Sequence, residues 1–200
     1  KLMFAMCGSR FSRVAETLAD QWSAQGGNFV EQFVHPGVGD SVYDDERCVI
    51  DEVFASIFYV EFTVKDMKLG IPVGVRPECT QAQCPEAVES RWSAHSKENI
   101  LANYAGFELV FWGKDGGLGF DDYLEGVQAQ ELEARIRQSF DAAKAAADAI
   151  PGSLEDAVVE QHDLVLAAYT ALKGLTDILK TELVSTLSLR VPAEGAGDND

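Results

Sequence analysis

The chain is short of positive charge. Its 200 residues carry 16 lysines and arginines against 33 aspartates and glutamates, a formal net charge of −17. A surface of that sign repels phosphate backbones, and no basic stripe offsets it, so the sequence argues against nucleic-acid binding. Anionic membrane surfaces are disfavoured for the same reason. Long apolar runs are missing too. None approaches the roughly 20 residues that a bilayer-spanning helix needs. Strand signals are almost absent, which excludes sandwiches, barrels and α/β layers. Histidine is scarce, with three in the chain, and this narrows the scope for metal and acid–base chemistry.

What is present is helical spacing. A first helix is expected from about Leu2 to Ala24, broken by Gly26-Gly27. Acidic residues at Asp44-Asp45-Glu46 suit a second helix start. From there Val49, Val53, Ile57, Val60, Val64 and Met67 form one stripe, with Ile50, Phe54, Phe58 and Phe62 beside it. So wide an apolar face predicts a central helix running to Leu69-Gly70. After a proline-flanked loop, Ser93 or Ser96 can cap a helix that ends at Gly113. A short helix over 120–126 and an alanine-rich one over 128–150 follow. Ser153 and Asp156 write a capping box for a last helix carrying leucines to Leu187, roughly 50 Å long at 1.5 Å per residue. The pattern predicts an all-α, antiparallel, four-helix-bundle-like domain over 1–200. The chain opens at Lys1 directly into Leu2-Met3-Phe4-Ala5-Met6 without a cap, which reads as a fragment or as a chain that has lost a leader.

Cys79 and Cys84 bracket Thr80-Gln81-Ala82-Gln83 inside the loop from Pro77 to Pro85. A disulfide-closed loop is the natural reading, and it suggests an oxidising compartment. The spacing is wider than Cys-x-x-Cys and no second pair lies nearby, which argues against zinc. Cys7 and Cys48 can form a second pair, although four cysteines allow three connectivities.

His162 falls on the polar side of the last helix and His35 precedes a proline in a loop, so both read as surface residues. His95 has Glu98 three residues on, neighbours on a helix and a possible metal pair. His-Glu-x-x-His is absent. Trp92, Gln32 and Val159 stand three before the histidines, so the Glu-x-x-His of ferritin-type iron sites is absent as well. No Gly-x-Ser-x-Gly elbow occurs. The Gly113–Gly119 turn lacks the Lys-Ser/Thr of a phosphate loop. Glu61 and Glu108 sit in apolar company, either at a helix edge facing water or buried with a partner.

The order of several weak motifs resembles the C-terminal half of imelysin-like proteins. Asp66-Met67-Lys68-Leu69-Gly70-Ile71-Pro72-Val73-Gly74 is similar to the family's acid-x-x-Leu-x-x-Pro-x-Gly. Glu89-Ser90 with Ser93 and Ser96, then Asn99, Asn103, Gly106 and Gly113, follow in order, as do the Gly116–Leu124 turn and Thr181-Glu182-Leu183. The resemblance implies an all-helical bacterial protein, periplasmic or outer-membrane-associated, that pairs two bundles and is tied to iron uptake. A peptidase name is attached to some members. The hallmark Gly-x-His-x-x-Glu is absent, since Gly106 is followed by Glu108 and Phe111 at those places.

Neither catalytic nor metal residues carry over, and the candidates are this chain's own polar groups. Glu89, Ser93, Asn99, Asn103 and Glu108 are candidates for ligand binding, and His95 and Glu98 for a metal. The cofactor stays unknown, with iron or another divalent ion open. The partner would be an N-terminal bundle of the same protein or another periplasmic iron-uptake component. The leading functional expectation is a ligand- or partner-binding module. The alternatives are half of a metallopeptidase-type site completed by a second bundle, and a helical interaction module with no small-molecule site.

Overall fold

The computed structural model describes the backbone of residues 2–192 and the side chains of residue 10 and residues 12–192. Among the described residues the chain is helical and contains no strand. It divides into two compact units, residues 1–53 and 54–200. Each is described by itself.

The first unit holds α1 (Leu2–Trp22), α2 (Val30–Val34) and most of α3 (Glu46–Ile57). The glycine break falls where the sequence places it. A Cβ on Gly26 would lie 2.2 Å from the Asp20 carbonyl oxygen, so the turn that ends α1 requires glycine there. Beyond it Trp22, Phe29, Phe33 and Tyr43 gather into an aromatic cluster, with the Phe33 and Tyr43 ring centroids 4.9 Å apart. Cys48 carries a free thiol. The side chain of Cys7, its suggested partner, lies outside the described residues.

The second unit is a bundle of α4 (Ser96–Phe111), α5 (Phe120–Gly126), α6 (Gln130–Asp148), α7 (Leu154–Glu160), α8 (His162–Ile178) and α9 (Val184–Leu187). Two further stretches, Val60–Gly70 and Leu179–Leu183, are wound as π-helix. The apolar stripe of α8 (Val165, Ala168, Leu172, Leu175) packs on α6 and on the first π stretch. Phe107 stacks on Phe140 with centroids 5.4 Å apart, and Tyr104 meets the same ring edge-on. Burying an aromatic ring of this kind contributes roughly 1.5–3 kcal/mol. Cys79 and Cys84 are joined in a disulfide, and the Cys84 amide donates to the Pro72 carbonyl at 2.8 Å.

Four sequence expectations need correction. The central helix does not continue in α form to Gly70. It breaks after Ile57 and resumes as a π-helix, where the Ile71 amide reaches five residues back to Asp66 O at 2.8 Å. Wider winding turns each side chain through a smaller angle, so a stripe written at α spacing drifts off the buried face. Phe62 and Met67 consequently end 45% and 46% exposed.

The last helix is not one rod. Ser153 does cap its start, accepting from the Asp156 amide at 3.2 Å, but the chain breaks at Gln161 and turns to π-helix at Leu179. His162 is half-buried, not solvated. Its Nε2 lies 3.0 Å from the Val73 carbonyl, which can only accept, so Nε2 carries the proton. Ser96 and Ser93 do not cap α4 either: His95 holds that position without a side-chain bond, and Ser96 Oγ accepts from the Ser90 amide instead.

Candidate functional site

The wide turn of Val60–Gly70 places four charged side chains inside the bundle. Glu61, Lys65, Asp66 and Lys68 are all buried, with Glu61 at 1% and Lys65 at 0% exposure. Isolated charges in such a place are prohibitively costly, so each needs partners. Lys65 Nζ lies 3.2 Å from Glu61 Oε1 and 3.1 Å from Asp66 Oδ1. Glu61 takes a second cation, Lys180, from the other π stretch at 2.6 Å. Arg76 approaches Asp66 at 3.6 Å. Glu61 is therefore not at a water-facing edge: it is the buried, partnered case.

Lys68, the fourth of these charges, gathers two of the candidate residues. Its Nζ donates to Asn103 Oδ1 at 2.9 Å and lies 3.1 Å from Glu89 Oε2. It also stands 5.3 Å from the centre of the Tyr59 ring. Asn99 belongs to a neighbouring set, donating to Ser90 Oγ at 3.0 Å while the Ser90 amide donates to Ser96 Oγ at 3.1 Å. These bonds fix the loop of residues 88–95 onto α4.

Between residues 56–60 and α4 lies a surface groove of about 250 Å³, lined among others by Ser56, Tyr59, Val60, Asn103, Gly106 and Val110. Two of its lining side chains, Tyr59 and Asn103, also touch Lys68, which does not itself line the groove. The other candidates lie away from it. Ser93 Oγ donates to the Ser90 carbonyl on an exposed loop. Glu108, half-exposed, pairs with Lys144 at 3.3 Å.

His95 and Glu98 are both exposed at the start of α4. Among the described residues no group of three or more His, Cys, Asp or Glu is arranged to hold a metal ion. Nor is any helix among them long and apolar enough to cross a membrane.

A family model, that of imelysin, matches residues 5–179. The chain belongs to the imelysin family. No curated protein and no solved structure matches it. The matched span of this imelysin-family chain includes Glu61, Lys65, Asp66, Lys68, Glu89 and Asn103, and stops one residue before Lys180.

Lys180, paired with Glu61, was not legible as part of a network. The available signal was weak: a lysine set between Leu179 and Leu183, on the turn where a leucine stripe meets buried Thr176. Lys65 and Lys68 carried even less, standing in the sequence only beside and within the motif that leads to Pro72.

Proposed function

We propose that this chain is a non-catalytic binding module of an exported imelysin-family protein that serves bacterial iron acquisition, the C-terminal part of a longer two-bundle chain. One observation carries the binding reading. The buried charges of Val60–Gly70 are paired with opposite charges on their own and neighbouring elements, while an open surface groove lies beside Val60. Catalysis would ask for the opposite, an acid, base or nucleophile aimed at free space. The Cys79–Cys84 disulfide supports export, since such bonds persist in oxidising compartments. The iron role rests on family membership alone.

The test is growth of the source bacterium with the protein deleted, in medium with and without an iron chelator. A lag confined to iron limitation, restored by the full protein, is the expected result. Equal growth of both strains under chelation would overturn the iron role. Release of peptides from casein by the purified chain would overturn the non-catalytic reading.

A further inference from the structure

We propose that α1 pairs with α1 of a second copy of this chain, the two helices running antiparallel along the face that carries Val14 and Leu18. The proposal goes beyond the binding reading above and does not depend on it.

The first observation is that α1 stands uncovered. It runs for 21 residues, about 30 Å at 1.5 Å per residue. All of its described side chains, those of residue 10 and residues 12–22, are exposed. Arg10, Arg13, Val14, Thr17, Leu18 and Gln21 line one open face, on which Val14 is 68% and Leu18 60% exposed. A helix in water draws most of its stability from packing an apolar face. An apolar stripe left open on a long helix therefore marks an interaction surface.

The spacing of that stripe fits a helical partner. Phe11, Val14 and Leu18 follow one another at steps of three and four, and Phe4 and Cys7 write the same pattern one heptad earlier. A seven-residue repeat of this kind is the seam along which two helices wind on each other. It is narrower than the stripe of a helix lying on a globular core.

Charge selects which helix, and in which direction. The chain as a whole carries −17, which opposes self-association over an acidic surface. Along α1 the charges balance, with Arg10 and Arg13 against Glu16 and Asp20. Two copies can approach there without that repulsion. Both arginines precede both acids in the helix. Antiparallel pairing lays the basic half of each copy along the acidic half of the other, twice by symmetry. A parallel pair sets like charge beside like. With Val14 of each copy opposite Leu18 of the other, Arg10 comes alongside the turn that carries Asp20.

Sedimentation velocity of the whole chain over a concentration series tests the pairing. A monomer–dimer equilibrium is expected, weakened as salt screens the charges. Val14→Glu/Leu18→Glu should leave a monomer of unchanged helix content, because neither side chain is buried within one copy. Arg10→Glu and Asp20→Lys should each weaken the dimer several-fold, and combining them should recover it. Net repulsion alone predicts otherwise, since Asp20→Lys makes the chain less negative and would then tighten the dimer. A parallel pair would leave both single reversals without effect.

A monomer at every concentration up to about 100 μM overturns the proposal. So does a dimer that survives Val14→Glu/Leu18→Glu, one that either single reversal leaves unchanged or tightens, or a combined variant that stays weak. The longer protein supplies a separate check, in which the dimer should persist. Its loss there would assign this face of α1 to another bundle of the same chain and overturn the pairing of copies.

Discussion

Lys180 Nζ lies 2.6 Å from Glu61 Oε1, and each residue stands on a π-helical stretch. The two irregular turns thus meet through one buried ion pair. A π-turn is less favourable than the α-turn it replaces and survives where its side chains gain something by the change. Here Glu61 gains two cations, Lys180 and Lys65, at positions an α-helical phase would shift. The pair joins both windings at the same level of the bundle.

Breaking the pair should cost more than the pair is worth. Lys180→Met leaves Glu61 with one cation, and Glu61→Gln leaves two lysines sharing the remaining acids. Removing one partner of a buried pair typically costs about 3–5 kcal/mol, because a charge is left buried. Each single variant should therefore lose stability near that range in urea unfolding. The double variant Glu61→Gln/Lys180→Met should lose less than the sum, with a coupling of about 1–3 kcal/mol. Additive losses would mean that the two side chains do not interact in solution.

Tyr104 offers the reverse case. It is fully buried among the α4 and α6 aromatics, and its hydroxyl has no hydrogen-bond partner among the described residues. Burial pushes its ionisation well above the usual tyrosine range, so the hydroxyl stays neutral. A buried, unmatched hydroxyl costs about 1–3 kcal/mol. Tyr104→Phe keeps the ring contact with Phe140 and removes that cost, so the variant should be more stable by about 1 kcal/mol. A clear loss of stability would mean that the hydroxyl has a partner in solution.

How much of this was legible depends on the range of the determinant. Gly26, Ser153 and the Cys79–Cys84 loop act through their near neighbours, and sequence reading placed all three correctly. The Val60–Gly70 stretch is tied through Glu61 to Lys180, more than a hundred residues away. A periodicity test tuned to the α-helix therefore wrote Phe62 and Met67 into the core. Among the candidates, Glu89 and Asn103 converge because Lys68 holds both, although Lys68 was not itself among the candidates. Ser93, His95, Glu98 and Glu108 share the same stretch of sequence. They point elsewhere: Ser93 and His95 lie on the loop before α4, and α4 carries Glu98 at its exposed start and Glu108 toward Lys144.

The start of α3 gives a pH prediction whose sign can be worked out. The Cys48 amide donates to Asp45 Oδ1 at 2.9 Å, satisfying one of the unpaired donors of the first turn. That hydrogen bond, helped by the nearby Arg47 charge, holds the Asp45 carboxyl below the usual range. A carboxyl favoured in its charged form by the fold contributes stability above its unfolded value, about 3.9 for aspartate. The contribution is lost as pH falls through the lowered folded value. Below neutral pH the α3 start should therefore hold until the ordinary aspartate range is passed, then fray. NMR titration of the Asp45 carboxyl, read beside hydrogen exchange of the Cys48 amide, checks both halves. Asp45→Asn retains an acceptor and should keep the amide protected across the whole range, whereas Asp45→Ala should lose protection even at neutral pH. A carboxyl midpoint at or above the ordinary value would show that the cap does not form.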